Sequence, residues 1–356
     1  MLNTNTVFVI GAGSSCELGL PTGDKLRLSL MRILERDGDN SIFTNPTLNQ
    51  IIHGKLASYT GSEWGLKFEE YARAAERIKK ALPMAQSIDN LIHAHRTDSN
   101  VIDIGKIAIA IAIIAEEHES YIKSELGNVS QLVEPARFDD ERFLSSWYLP
   151  LMRLIVSGET KENIRRIFAN TSFIVFNYDR CLEHFLINAV RSYFNISPDE
   201  AADIVNEVVI IHPYGQVGFL PWQASPIDSP KCQFGHGHTD ISAISRGIYT
   251  FTESIDEGIT ASCKRLIESA ETLVMMGYGF LPRNTDLLSC ESPSNVSRVF
   301  ATACGIGETD LNIVKSEISH ILGKTIDRFS PFVERSTCRT LMDNNWMRLS
   351  IKRGQR

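Results

Sequence analysis

Three short segments carry groups suited to handling a phosphorylated ligand. Gly11-Ala12-Gly13-Ser14-Ser15 follows an apolar, β-branched run at 6–10 (TVFVI) and opens into a helical pattern. Such a turn can aim backbone N–H groups and the positive end of a helix at a phosphate, and glycine takes the Cβ out of its way. Asn177-Tyr178-Asp179 follows the run 171–176 (TSFIVF), and His212-Pro213-Tyr214-Gly215 follows 207–211 (EVVII). An amide offers a donor and an acceptor together, and an imidazole with a pKa near about 6.5 can exchange a proton at neutral pH. Each segment also has a structural alternative: tight packing for the glycines, an Asx turn or helix cap for Asn177 and Asp179, and a hydrogen-bonded structural role for His212. Their shared position favours chemistry, because open α/β sheets bind ligands beyond the carboxyl ends of their strands.

The elements that must position these residues alternate. Apolar runs at 6–10, 171–176, 207–211, 272–276 and 297–301 are separated by helical patterns at 180–193, 254–270 and 309–322. That alternation is the mark of βαβ units. The expected fold is α/β, a Rossmann-like parallel sheet with helices on both faces, in which 171–176 and 207–211 are buried strands. From 44 to 163 strand-like runs nearly vanish, and helical patterns stand at 68–82, 102–126 and 139–156. This predicts a helical insertion or cap (44–163) within a Rossmann-like domain made of 1–43 and 164–335. The insertion and the long Gly-, Pro-, Ser- and His-rich loop at 213–251 are candidates for a lid or for oligomer contacts. A basic C-terminal tail (336–356) with Arg339, Arg348, Lys352, Arg353 and Arg356 is expected to be solvated.

Composition narrows the partners. A chain of 356 residues with 43 % hydrophobic residues can bury a full core without staples. Its net charge of −7 argues against sequence-specific nucleic-acid binding, which needs a basic stripe. The apolar stretch 101–115 carries Asp103 and Lys106 and is too short to span a bilayer, so it reads as a buried helix and no membrane association is expected. Seven scattered cysteines without a C-x-x-C pair read as reduced thiols, and with no secretory signal visible the expected location is cytoplasmic. His236-Gly237-His238 with Asp240 lies in a Gly-rich stretch and reads as a polar loop, so no metal is expected. Two nucleotide motifs fit poorly. The G-x-G-x-x-G fingerprint puts Cys16 at its third glycine, and its acidic candidates Asp37 and Asp39 follow a helical pattern instead of a strand. No Gly-Lys-Ser/Thr follows to make a P-loop.

In this order and context the motifs resemble the sirtuin-like superfamily. The resemblance rests on Gly11 to Ser15, on Gly19-Leu20-Pro21, on Asn177-Tyr178-Asp179, on His212, and on the late strand-end loop Gly277-Tyr278-Gly279-Phe280. It implies NAD as the bound cofactor and substrate. Asn177, His212 and Asp179 would make up the catalytic set, Asp179 orienting Asn177 or the loop, with cofactor contacts from Gly11, Ala12, Gly13, Ser14, Ser15, Pro21, Thr22, Gly277, Tyr278 and Phe280. The sequence departs from the deacylases of that superfamily in lacking a four-cysteine zinc module, in Pro213 after the histidine, and in Thr22-Gly23-Asp24 after the proline turn. It looks more like the bacterial antiphage-defence members, which destroy NAD. That implies hydrolysis of the nicotinamide–ribose bond to nicotinamide and ADP-ribose, a homo-oligomer, and a HerA-type ATPase as a partner. An NAD-dependent protein deacylase and a catalytically silent ADP-ribose-binding sensor or assembly subunit are the alternatives.

Overall fold

The computed structural model describes residues 2–38, 42–123, 136, 138–236, 240–250, 257–325 and 330–350. Asp39, Gly237, His238, Lys352, Arg353 and Arg356 lie outside the described residues, as do 124–126, 251 and 254–256 at the ends of three expected segments.

Among the described residues, six strands form one parallel sheet: β1 (Thr6–Ile10), β2 (Thr171–Val175), β3 (Val209–Ile211), β4 (Thr272–Met276), β5 (Arg298–Thr302) and β6 (Phe332–Glu334). Their order is β3-β2-β1-β4-β5-β6, a Rossmann-like α/β arrangement. All five residues of β1 are buried, because alternate side chains meet helices on opposite faces. Val7 and Val9 join one apolar cluster, Phe8 and Ile10 the other. β3 departs from the expected buried strand. It is a three-residue edge, with Val209 45 % exposed. β6 (FVE) is too short and too polar to read from sequence, and its pairing of Ala301 with Val333 defines it. The chain builds outward from β1 to β3, then returns to lay β4 on the other side of β1. At such a reversal the connections leave in opposite directions and open a crevice at the carboxyl ends. Here that crevice lies between the turns after β1 and β4.

Among the described residues, eight α-helices precede β2: α1 (Ala12–Ser15), α2 (Gly23–Ile33), α3 (Pro46–Lys55), α4 (Gly61–Ala81), α5 (Ile88–Ala94), α6 (Ser99–Glu119), α7 (Glu141–Leu144) and α8 (Tyr148–Val156). Between the later strands come α9 (Cys181–Phe194), α10 (Pro198–Asn206), α11 (Ile241–Ser245), α12 (Glu257–Ser269), α13 (Pro282–Leu288) and α14 (Leu311–Ile321). The last described residues carry α15 (Cys338–Asn344) and α16 (Trp346–Ser350). Polar residues start several of them: the Asn45 side chain accepts from Leu48 N–H, Ser87 from Asn90 N–H, and Asp98 from the N–H groups of Asn100 and Val101.

The segment 44–163 does not stand apart as a lid. Ile104, Ile107 and Ile109 of α6 are fully buried, and the helix packs on α2, α3, α4, α5 and α11. Each such side chain is worth about 1.5–3 kcal/mol on burial, so lifting α6 off would cost several times that. The cluster containing α6 covers the Val7 and Val9 face, while α8 packs with the Phe8 and Ile10 face. The pattern at 139–156 is broken into α7 and α8 around Ser145-Ser146-Trp147, where Trp147 N–H donates to Glu17 Oε2 at 2.8 Å.

The solvated-tail expectation fails for 336–350. Cys338, Leu341, Met342 and Leu349 are buried against the Phe8 and Phe300 face. Arg339 donates to Asp343 and to the Leu144 and Ser146 carbonyls. The count of basic residues hid an apolar stripe at helical spacing. No helix among the described residues is long and apolar enough to cross a membrane.

Candidate functional site

The turns after β1 and β4 hold each other. Gly11 N–H donates to Met276 O at 3.0 Å and Gly13 N–H to Gly277 O at 3.1 Å, so neither is left for a phosphate. A Cβ on Gly11 would stand 2.5 Å from Gly277 O, and one on Gly13 would stand 2.8 Å from Gly277 Cα. Gly277 has φ +60°, and a Cβ there would lie 2.1 Å from Ser14 N. The glycines are therefore required by backbone-to-backbone contact across the crevice floor, the tight-packing alternative named above, whatever they also leave open to a ligand. Gly277→Ala should destabilise the protein by about 2 kcal/mol or more, combining left-handed strain with overpacking. Gly23→Ala, which meets nothing within 4 Å, should stay within about 1 kcal/mol. Thermal melts of the two variants check the contrast, and equal melting temperatures would overturn it.

Beyond β2, Phe176 N–H donates to Ile10 O at 2.8 Å, which delivers Asn177 to the mouth of the same turn. Asn177 Nδ2 donates to Ser15 Oγ at 2.8 Å and to Gly11 O at 3.3 Å. Ser15 Oγ in turn donates to Asp179 Oδ2 at 3.0 Å, and Asp179 Oδ1 accepts Cys181 N–H at 3.2 Å. This chain fixes the amide orientation, because Asp179 accepts from the serine and the serine can then only accept from Asn177. Asn177 is 7 % exposed, and its Oδ1 has no hydrogen-bond partner among the described residues. A buried acceptor left open is costly, commonly about 1–3 kcal/mol, and calls for a ligand or water. Burial, and then the charge of Glu117, push the Asp179 carboxyl above the usual carboxylate range despite its hydrogen bonds.

His212 is placed differently from the expectation. Its Nδ1 contacts Asn177 O at 2.9 Å, its Nε2 contacts Glu183 Oε1 at 2.7 Å, and it does not line the cavity described below. Burial alone would lower its pKa, but the Glu183 carboxylate and the Asn177 carbonyl outweigh burial and raise it. Each ring nitrogen faces an acceptor, so the protonated ring can donate through both, and neither nitrogen is turned to the cavity as a general base. The ring holds the Asn177 backbone in place. The stabilisation it gives is fully present below the unfolded pKa of about 6.5 and is lost as pH rises through the raised folded value. The difference in melting temperature between the native chain and His212→Gln should shrink as pH rises above that point; a constant difference to pH 9 would contradict the assignment.

The crevice opens into a cavity of about 350 Å³. Of the residues expected to contact a ligand, Gly11, Ala12, Gly13, Ser15, Pro21, Thr22, Asn177, Asp179, Gly277 and Tyr278 line it. Ser14 does not, because its Oγ turns back to Gly11 O at 2.8 Å. Phe280, at φ +50°, packs edge-on against Tyr278 with ring centroids 5.1 Å apart and also stays outside. The structure adds a wall that sequence reasoning missed: Leu26, Arg27 and Leu30 of α2, Leu82, Asp89 of α5, Ile113 of α6, Tyr214, and Asn284 of α13. No local signal marked these, since they meet only through tertiary packing. Also missed was the fully buried pair Glu117–Arg180, with Arg180 Nε and backbone N–H on Glu117 Oε1 at 3.1 and 2.8 Å. Among the described residues, no three His, Cys, Asp or Glu side chains stand together as a metal-holding group.

No protein-family model matches the chain, and no curated protein matches it. Among solved structures it is similar to a complex of a Sir2 homolog with NAD, at 10 % identity and TM-score 0.39, covering 98 % of this chain and 90 % of that one. A triple mutant of a Sir2 homologue with 2′-O-acetyl ADP ribose is similar at 10 % identity and TM-score 0.40, covering 99 % and 96 %. A single mutant of a Sir2 homologue with ADP ribose is similar at 11 % identity and TM-score 0.35, again covering 99 % and 96 %. Likeness this distant says nothing about activity, and the site's chemistry stands on its own geometry.

Proposed function

We propose that the chain binds NAD in the crevice between the β1 and β4 turns and hydrolyses its nicotinamide–ribose bond. The observation that carries this reading is Asn177: an amide locked by Ser15 and Gly11, with an unpartnered buried oxygen on a cavity at the sheet's reversal point. Ligand pockets commonly run to about 300–1,000 Å³, so this one suits the reacting half of a dinucleotide. The leaving nicotinamide is already cationic in the bound substrate and needs no acid to expel it. Water attacks C1′ of the ribose as the C1′–N bond breaks, giving ADP-ribose, nicotinamide and one proton. Asn177 Oδ1 accepts from that water or from a ribose hydroxyl, and the fixed amide dipole faces the developing oxocarbenium charge. Preorganised dipoles of this kind are usually the largest catalytic contribution. Asp179 acts through Ser15, and His212 through the Asn177 backbone, so both are positioning residues.

The test is to incubate the purified chain with NAD and measure nicotinamide release. Steady release beyond one equivalent per chain is expected. The tied-up His212 specifically favours a second reading, a nucleotide sensor without turnover; it predicts ADP-ribose binding with no nicotinamide released. The further proposal of an NAD-depleting antiphage effector, homo-oligomeric and paired with a HerA-type ATPase, rests on the sequence resemblance alone. Repeating the assay with the ATPase present addresses it.

A further inference from the structure

The far wall of the cavity, supplied by the helical segment and by α13, carries two polar side chains that the proposed chemistry does not use. Asp89 accepts the Tyr178 hydroxyl on Oδ1, and its second oxygen has no hydrogen bond to another residue among the described residues. Asn284 is 9 % exposed; its Oδ1 accepts the Tyr214 hydroxyl at 2.7 Å, which leaves Nδ2 as a donor with no acceptor among the described residues. A carboxylate acceptor and an amide donor thus line one cavity whose other walls include Leu26, Leu30, Leu82 and Ile113. Apolar walls suit the faces of a planar ring, and the open donor and acceptor suit a ring edge bearing the complementary pair. A phosphate does not fit there, since Asp89 would repel it.

We propose that Asp89 and Asn284 together recognise a planar nitrogen heterocycle through one edge carrying an N–H donor beside an acceptor. In NAD two groups have that edge: the carboxamide of nicotinamide and the N6–N1 edge of adenine. The proposal rests on the NAD reading above and goes further by assigning base recognition to the helical segment. Asp89 takes the N–H of the ligand, and Asn284 Nδ2 donates to its acceptor. Burial pushes the Asp89 carboxyl upward while the Tyr178 hydroxyl pulls it down, and a further donor from the ligand would act in the same direction as Tyr178.

Calorimetry of the full chain with NAD, nicotinic acid adenine dinucleotide and nicotinamide hypoxanthine dinucleotide tests this. One analogue replaces the carboxamide and the other replaces the adenine edge. The recognised edge, when altered, should weaken binding by about 10- to 100-fold, as expected for a lost hydrogen bond to a charged group. Which analogue suffers identifies the base. Asp89→Asn should bring that analogue to within about threefold of NAD; Asn284→Asp should do the same for the hypoxanthine dinucleotide, whose N1–H is a donor, but should weaken the nicotinic acid dinucleotide further by setting two carboxylates together. Equal binding of all three dinucleotides, or full discrimination retained in both variants, overturns the proposal. If none of the three binds the native chain, the NAD reading itself falls and this one falls with it.

Discussion

Replacing Asn177 by alanine should cut NAD hydrolysis by about 10²–10³-fold, the loss typical of removing one preorganised dipole from a reaction centre. The loss should fall on kcat more than on KM, because the cavity walls that hold the rest of the ligand are untouched. Stability should barely change, for two opposing reasons. Truncation removes the hydrogen bond to Ser15 Oγ, worth about 0.5–1.5 kcal/mol, but it also removes a buried carbonyl oxygen that has no partner. Asn177→Asp is the sharper variant, since it is nearly the same size. Ser15 would then stand between two carboxylates, Asp179 and the new one, and could donate to only one of them. Like charges so placed push one pKa up, so any residual activity should rise as pH falls. Nicotinamide release by either variant at more than a tenth of the native rate would remove Asn177 from the reaction.

The sheet was legible because its central strands are buried on both faces. Runs such as TVFVI and TLVMM have no other home in a protein of this size. β3 and β6 were misjudged or missed for the converse reason: as edges of three residues they need little hydrophobicity, and pairing alone defines them. At the site, the strand-end rule located Asn177 and Asp179, since any residue following a parallel strand must face the crevice. It could not say which way a ring points. His212 obeys the rule in position yet turns its nitrogens onto Asn177 and Glu183, four residues beyond Asp179 on α9. The glycines were legible in the same partial way. Their motif pointed to the cavity they line, but not to the turn after β4, whose backbone is what a Cβ on them would strike. Asp89 and Glu117 carry no local signal at all, because only the packing of the helical segment onto the sheet brings them to the site.

Removing Glu117 should damage the molecule more than any other single change near the site. Its carboxylate, fully buried, binds Arg180 Nη2, Nε and backbone N–H, and also Gly235 N–H at 3.1 Å. Arg180 reaches on to the carbonyls of Cys232 at 2.7 Å and Gln233 at 3.2 Å. One pair therefore fastens the end of α6, the Asn177–Asp179 turn and the loop before α11. Glu117→Ala would leave a guanidinium buried without its counter-charge, a loss of about 3–5 kcal/mol. That is a large share of a typical stability of about 5–15 kcal/mol. Chemical denaturation should show a clear fall in midpoint with the slope unchanged. The double variant Glu117→Leu with Arg180→Met separates two causes. It removes both charges, so the ionic part of the loss should be recovered. The N–H groups of residues 180 and 235 still lose their acceptor, at about 1–3 kcal/mol each, so stability should stop short of the native value. Turnover should stay low in both variants, because the turn that aims Asn177 has lost its anchor in either case. A double variant that regained native stability and full activity would show the pair to be dispensable, and the link from α6 to the site would have to be abandoned.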